Sequence, residues 1–210
     1  MTEPLICPTI TATTEDDYRS QMDRIKTFAS RVHIDLMDGE FAKTSSPPLD
    51  SIWWYDFMQA DIHLMYARPA DALESIKKLK PSLVVIHAEA EVDHEAFAKE
   101  LHAQGIKAGL ALLQNTEIDD VAPIARVFDH ILIFSGNLGH HGGTADIKLI
   151  SKLHKAKELY PDKELAWDGG INDQNIKELL ANGANVLNVG GFIQDSADPF
   201  ASYAKLRVFL

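Results

Sequence analysis

Residues 32–39 read Val32-His33-Ile34-Asp35-Leu36-Met37-Asp38-Gly39, an apolar run in which a histidine and an aspartate stand two positions apart. Alternate side chains of a β-strand point to the same face, so His33 and Asp35 share one face of this strand. The intervening residues are apolar and share the other face. A buried strand with this pair on one face indicates a functional site.

The same pattern recurs at two further points of the chain. Residues 61–65 (Asp-Ile-His-Leu-Met) place His63 in a second apolar run, and residues 165–170 (Leu-Ala-Trp-Asp-Gly-Gly) end a third run at Asp168. Two imidazoles and two carboxylates form a mixed nitrogen and oxygen set that suits zinc, iron(II), cobalt or manganese. Calcium and magnesium prefer oxygen ligands. The sequence therefore predicts one divalent metal ion held by His33, Asp35, His63 and Asp168.

Short runs rich in β-branched residues alternate with helical periodicity along the whole chain. The apolar runs predict eight strands, at residues 5–10, 32–37, 61–65, 83–87, 108–113, 130–134, 164–167 and 186–189. The periodic segments predict helices over 15–29, 69–79, 94–104, 147–160 and 173–181. Unbroken alternation with short connections favours an α/β fold, a single (β/α)8 TIM barrel of parallel strands spanning residues 1–210, over an open doubly wound sheet.

In such a barrel, the chemistry lies at the C-terminal ends of the strands. Asp35 would belong to the second strand and Asp168 to the seventh, so their carboxylates can approach a substrate from different sides. One carboxylate can remove a proton next to a carbonyl while the other returns a proton to the opposite face. The arrangement predicts a two-base epimerisation through an enediolate.

Two glycine pairs follow the seventh and eighth strands, Gly169-Gly170 and Gly190-Gly191. Barrels of this kind frequently bind a substrate phosphate at these loops, through backbone N–H groups that glycine leaves uncovered. The pairs predict a phosphorylated substrate.

Composition excludes several classes of partner. The chain has 210 residues, 46% of them hydrophobic, and a net charge of −11, which argues against binding nucleic acid or an anionic membrane. It has no long uninterrupted apolar run, and its first residues lack the pattern of a signal peptide, so we expect a cytoplasmic protein. Cys7 is the only cysteine, which rules out an intramolecular disulfide.

Several motifs together resemble those of the ribulose-phosphate 3-epimerase family, over nearly the full chain. They comprise residues 7–10, 33–39 with Phe41, 61–65 with Pro69, 87–90, 107–109 with Thr116, 168–171 and 183–185. The resemblance implies a metal bound by the four predicted ligands, with Asp35 and Asp168 as the acid/base pair at C3 of a ketose 5-phosphate. It also implies an apolar wall that includes Met37 and Met65, and a homo-oligomer.

The chain departs from the family in residues that would contact the substrate. Thr9 replaces a serine, Phe134 replaces a methionine, and Gly191 replaces a serine at the phosphate end. In the loop after the sixth strand, Asn137, Gly139 and Gly142 match, whereas His140 and His141 do not. The predicted substrate-binding residues are Thr9, Met37, Met65, Asn137, Gly139, Gly142, Gly169, Gly170, Gly190 and Gly191.

Three alternatives remain open. A hexulose 6-phosphate 3-epimerase could use the same residues beneath a roomier lid. A lyase or decarboxylase on a similar barrel usually carries an Asp-x-Lys pair, whereas the corresponding strand here reads His33-Ile34-Asp35. A non-catalytic member that binds a sugar phosphate would account for the altered loops.

Five further histidines are interpreted as supporting or surface residues rather than as metal ligands. His87 and Glu89 suit an outer pair that supports the ligands, because ligating groups commonly need a second hydrogen-bond partner. The others, His94, His102, His130 and His154, are interpreted as surface residues.

Overall fold

The computed structural model describes residues 3–210 and shows a closed barrel of eight parallel strands in sequential order, which confirms the predicted (β/α)8 fold. Each strand pairs with its sequence neighbours, and β8 closes the ring against β1. The strands are β1 (Leu5–Thr11), β2 (Arg31–Met37), β3 (Gln59–Met65), β4 (Leu83–His87), β5 (Lys107–Leu112), β6 (His130–Phe134), β7 (Glu164–Asp168) and β8 (Val186–Val189).

Eight α-helices cover the outside of the barrel within the described part of the chain. They are α1 (Glu15–Ile25), α2 (Leu73–Leu79), α3 (His94–His102), α4 (Ala122–Ala125), α5 (Ile150–Leu159), α6 (Ile176–Ala181), α7 (Gly191–Gln194) and α8 (Pro199–Arg207). Polar side chains cap several helix starts: Thr14 accepts from the backbone of Asp17, and Asp93 and Asp198 do the same for α3 and α8. Short 3-10 turns precede α2 and α5.

The main hydrophobic core lies between the barrel and its helices. Residues such as Ile34 and Ile62 point outward from the strands into this core and are fully buried. Their neighbours in sequence point into the barrel, because side chains alternate along a strand. The alternation within residues 32–39 therefore directs His33 and Asp35 inward.

The inside of the barrel is layered. Near the N-terminal ends of the strands lie Arg31, Asp61, His130 and Glu164, joined by hydrogen bonds. Above them is an apolar layer formed by Cys7, Leu83, Val85, Ala111, Leu132, Ala166 and Val186. The predicted metal ligands lie beyond this layer, towards the C-terminal ends.

One histidine assignment was wrong. His130 is 2% exposed rather than a surface residue, and its Nδ1 lies 2.8 Å from Glu164 Oε2. It begins β6 with its side chain inside the barrel, where Gly109 on the neighbouring strand leaves space: a Cβ there would lie 3.3 Å from His130 Cδ2. His102 and His154 are exposed, as predicted, and His94 is half-buried.

Candidate active site

The four predicted ligands converge at the C-terminal end of the barrel. β2 contributes His33 and Asp35, β3 contributes His63 directly beside Asp35 in the strand register, and β7 ends at Asp168. All four side chains are buried. One nitrogen or oxygen atom from each lies within 4.8 Å of every other.

The distances show two imidazoles placed between two carboxylates. His63 Nδ1 lies 2.9 Å from Asp35 Oδ1, while His33 Nε2 lies 3.3 Å from the same oxygen and 3.4 Å from Asp168 Oδ2. Both His33 Nε2 and Asp168 Oδ2 are buried without a hydrogen-bond partner among the described residues. Buried polar atoms normally have a partner, because leaving one unpaired costs about 1–3 kcal/mol. The four groups therefore fit a shared divalent cation.

The electrostatics of this cluster favour opposite charges on its members. Burial opposes protonation of His33, but the carboxylates of Asp168 and Asp35 outweigh burial and raise the pKa of His33 to about 10. Burial likewise opposes ionisation of Asp35, and His33 and His63 outweigh it and hold the pKa of Asp35 far below its ordinary value. A cation bound here would replace the proton on His33, because a histidine ligates through a free lone pair.

Outer residues hold these groups in place. Thr11 Oγ1 donates a 2.6 Å hydrogen bond to Asp35 Oδ2, which leaves Oδ1 for the cluster. His63 Nε2 lies 2.9 Å from His87 Nε2, and His87 Nδ1 lies 3.5 Å from Glu89 Oε2. If His63 uses Nδ1 as a ligand, its Nε2 carries the hydrogen and donates it to His87. Burial lowers the pKa of His87 to about 4 and keeps this ring a neutral acceptor.

A cavity of about 190 Å³ opens above Asp35 and Asp168. Its lining includes most of the predicted substrate-binding residues, namely Thr9, Met65, Gly139, Gly142, Gly169, Gly170, Gly190 and Gly191. Phe134, His140 and His141, three of the departures from the family pattern, also line it.

Two predicted substrate-binding residues are not among those that line this cavity. Met37 packs with Met65 and Ala42, and Thr44 Oγ1 lies 3.1 Å from its sulfur. Asn137 is exposed and borders a separate depression on the outer side of Phe134.

The loop after β6, residues 136–145, packs directly on the glycine pairs and is here called the lid. Gly169 has a φ of +107°, and a Cβ there would overlap the backbone of Gly136. Gly170 has a φ of +68°, and a Cβ there would overlap the backbone nitrogen of Ala145. These glycines thus allow the lid to approach β7, a packing role that exists whether or not they also contact a phosphate.

Sequence reasoning missed three polar residues of the site. Asn188 on β8 is 1% exposed, lines the cavity, and has no partner for either side-chain atom among the described residues. Thr11 supports Asp35, as described above. Gln21, on α1, bonds both the backbone of Thr11 and the lid residue His141. A polar residue inside an otherwise apolar strand run, residues 186–189, was the available signal for Asn188.

The fold and the cluster together define a (β/α)8-barrel enzyme with a candidate metal centre at the mouth of the barrel. Comparison with known proteins identifies its relatives. The chain belongs to the Ribulose-phosphate 3 epimerase family, whose model matches residues 5–193. The resemblance inferred from the sequence is therefore confirmed.

Curated relatives agree with this assignment. The chain is 28% identical to a ribulose-phosphate 3-epimerase of Mycobacterium tuberculosis over 97% of its own length and 92% of the relative. It is 30% identical to the Helicobacter pylori ribulose-phosphate 3-epimerase, covering 81% and 82% of the two chains. A ribulose-phosphate 3-epimerase of Oryza sativa subsp. japonica, named as a cytoplasmic isoform, is 24% identical over 96% of this chain and 92% of the relative.

Solved structures support the fold alone. A mutant tryptophan synthase alpha-subunit from Pyrococcus furiosus matches with a TM-score of 0.72 at 16% identity, covering 100% and 99% of the chains. The 3-hexulose-6-phosphate synthase of Salmonella typhimurium matches with a TM-score of 0.71 at 15% identity, covering 100% and 98%. Among the described residues, no helix is both long and apolar enough to cross a membrane.

Proposed function

We propose that this protein is a metal-dependent 3-epimerase of a ketose phosphate, interconverting D-ribulose 5-phosphate and D-xylulose 5-phosphate. The observation that carries the proposal is the approach of two buried carboxylates, from strands on different sides of the barrel, to one imidazole nitrogen at the floor of the cavity. Family membership and the names of the relatives support the substrate class.

His33, Asp35, His63 and Asp168 would hold the ion, which is zinc, iron, cobalt or manganese by the chemistry of its ligands. When bound, the ion supplies a positive charge that stabilises negative charge on the substrate oxygens. The protein's own residues move the protons. In one direction Asp35 removes the proton from C3 and Asp168 delivers a proton to the opposite face of the planar enediolate; in the other direction the roles reverse.

The rest of the cavity orients the substrate and excludes water. Thr11 keeps Asp35 in one orientation through its short hydrogen bond. The lid covers the cavity through the contacts at Gly169 and Gly170, which limits access of solvent to the reacting carbon. Thr9, Met65 and the loop glycines are proposed substrate contacts.

Deuterium exchange at C3 tests this mechanism. Protein of measured metal content is incubated with D-ribulose 5-phosphate in deuterated water, and both epimer formation and deuterium at C3 are followed by NMR. We expect conversion with exchange. We expect Asp35→Asn and Asp168→Asn to lose conversion by about 10²- to 10⁴-fold, each retaining exchange with only one of the two epimers, because one base remains.

Asp56→Asn is the matched control, because Asp56 is exposed and remote from the cavity. Full activity in either catalytic variant would refute the two-base scheme. A hexulose 6-phosphate is offered in parallel, since the altered lid motivates that alternative. Bound metal without turnover of either sugar would support a non-catalytic member.

Three further expectations remain predictions. They are a homo-oligomeric state, a cytoplasmic location and a single domain spanning residues 1–210. Size-exclusion chromatography with light scattering would determine the oligomeric state directly.

A further inference from the structure

The lid histidine His141 is held in a defined orientation by α1. Its Nε2 lies 2.9 Å from Gln21 Oε1. The Gln21 amide is itself fixed, because its nitrogen donates to Thr11 O and Asp17 Oδ2 while its oxygen accepts from the backbone N–H of Thr11. An amide oxygen cannot donate, so the hydrogen between the two side chains must belong to His141 Nε2.

This assignment leaves Nδ1 as the ring nitrogen that could meet a ligand, and His141 is one of the residues that line the cavity. His141 Nδ1 is buried and has no hydrogen-bond partner among the described residues. It points at the loop after β8, since a Cβ added to Gly190 would lie 2.7 Å from it. A buried, unpaired nitrogen at the edge of a cavity is a candidate contact for a ligand.

The charges around the cavity indicate what kind of ligand group this nitrogen would meet. The lining residues carry the carboxylates of Asp35 and Asp168 and include no lysine or arginine within the described chain. The imidazoles of His140 and His141 are the lining side chains able to carry positive charge. An anionic group of a substrate would therefore find the side chains able to offer it a positive charge in the lid.

We propose that His141 Nδ1 donates a charge-assisted hydrogen bond to the anionic group of the substrate and thereby selects phosphorylated over unphosphorylated sugars. The proposal rests on the proposed function for the identity of that group, a phosphate monoester. When the anion binds, the ring carries a hydrogen on both nitrogens: Nε2 keeps the one it donates to Gln21, and Nδ1 receives its proton from the solvent or from the phosphate monoanion itself. Charged groups that border the cleft on the opposite side of His141 are Asp17, Arg24 and Asp195, two of them acidic.

His141, rather than its neighbour, is the better candidate for this role. His140 is exposed, whereas His141 is partly buried and anchored to the first helix. An anchored donor loses less conformational freedom on binding than a free one. His140 thus provides a comparison of the same chemistry in the same loop.

Steady-state kinetics with D-ribulose 5-phosphate and D-ribulose give the first test. We expect His141→Ala to raise KM for the phosphorylated sugar by about tenfold to hundredfold, with a much smaller change in kcat and in kcat/KM for D-ribulose. His140→Ala should raise KM by less. Equal losses for both sugars would mean that His141 only shapes the lid, and would overturn the proposal.

Binding of inorganic phosphate, measured by calorimetry, tests the same contact without turnover. We expect the wild-type protein to bind phosphate and His141→Ala to bind it at least about tenfold more weakly. Equal affinities, or no binding to the wild type, would overturn the proposal. If phosphate binding depends on His141 but no ketose phosphate is epimerised, the anion contact stands and the proposed function fails.

Discussion

Asn188 is a buried amide that lines the cavity and whose burial is costly to stability. Both of its side-chain polar atoms are unpaired in the described structure, and such groups each cost about 1–3 kcal/mol. Leucine has nearly the same shape and no polar atoms. We therefore expect Asn188→Leu to increase the free energy of unfolding by about 1 kcal/mol or more and to lower kcat/KM, as measured by urea unfolding and epimerase kinetics.

The control for this prediction is Asn115→Leu, which changes an exposed asparagine outside the cavity. It should leave both measurements nearly unchanged. A less stable Asn188→Leu protein would show that the amide has partners, such as ordered water, that outweigh the cost of its burial.

His87 lies behind His63, one of the four predicted metal ligands. Its Nε2 is 2.9 Å from His63 Nε2 and would accept the hydrogen of that nitrogen when His63 Nδ1 faces the cluster. Removing such an outer partner typically weakens metal binding by about 10- to 100-fold. We expect this loss of zinc affinity in His87→Leu, measured by competition with a chelator.

His87→Gln offers the rescue control, because the glutamine side chain restores an acceptor oxygen. It should recover part of the zinc affinity that His87→Leu loses. An unchanged affinity in the leucine variant would show that the orientation of His63 is determined by Asp35 alone.

The sequence predicted the four clustered residues because strand periodicity and the ends of strands are local properties. Apart from the pair His87 and Glu89, it could not predict the partners, which depend on contacts between distant segments. Gln21 meets His141 across 120 positions, and Arg31 meets Glu164 across 133. His130 was misassigned for the same reason: its carboxylate partner lies on the next strand.

At the level of elements, the loop after β7 has glycines at 169 and 170 because the backbone of the lid packs directly against it. Gly170 and Gly105 both have positive φ, at +68° and +73°, but only Gly170 has backbone where a Cβ would lie. Alanine costs about 1–2 kcal/mol in this backbone conformation even in open space. We expect Gly105→Ala to lose about this much stability and Gly170→Ala to lose more.

Urea unfolding and kcat/KM measure the two consequences separately. Gly170→Ala should also lower kcat/KM, because the lid can no longer pack on the loop after β7. Gly105 lies between α3 and the start of β5 and does not line the cavity. Gly105→Ala should therefore keep its activity. Equal losses of stability in the two variants would mean that the lid moves aside without cost.

The strands were predicted more closely than the helices. Three strands, β4, β6 and β8, begin and end at the predicted residues. β5 ends at Leu112 rather than at residue 113, because the Leu113 amide donates to the Glu89 side chain instead of to a neighbouring strand.

The helix predicted over 15–29 ends at Ile25, and α4, α7 and α8 were missed. Two of the missed helices have only four residues, too few to show periodicity, although Asp198 and Pro199 mark the start of α8.

At the scale of the whole molecule, the barrel carries a second buried polar network opposite the active site. Arg31 donates two 2.8 Å hydrogen bonds to Glu164 and a 2.7 Å bond to Asp61. His130 contacts the same glutamate. The apolar layer that contains Cys7 and Val85 separates this network from the predicted metal ligands. We therefore assign it to stability rather than to catalysis.

The network makes stability depend on pH in a predictable direction. Burial alone would raise the pKa of Glu164, but Arg31 and His130 outweigh burial and hold that pKa well below its ordinary value. A carboxyl group with a lowered folded-state pKa stabilises the protein above its unfolded-state pKa of about 4.3. This contribution disappears as the pH falls through the lower folded-state value.

Glu164→Gln removes this contribution and should show where it acts. At pH 7 we expect the variant to be about 1–3 kcal/mol less stable than the wild type in urea unfolding, because one charge of a buried pair is lost. The difference should shrink progressively below about pH 4. Glu158→Gln, at an exposed position on α5, should show neither effect.

Because Glu164 lies beyond the apolar layer, kcat/KM of Glu164→Gln at pH 7 should be unchanged while this variant remains folded. A difference in stability independent of pH would place the loss in packing rather than in charge.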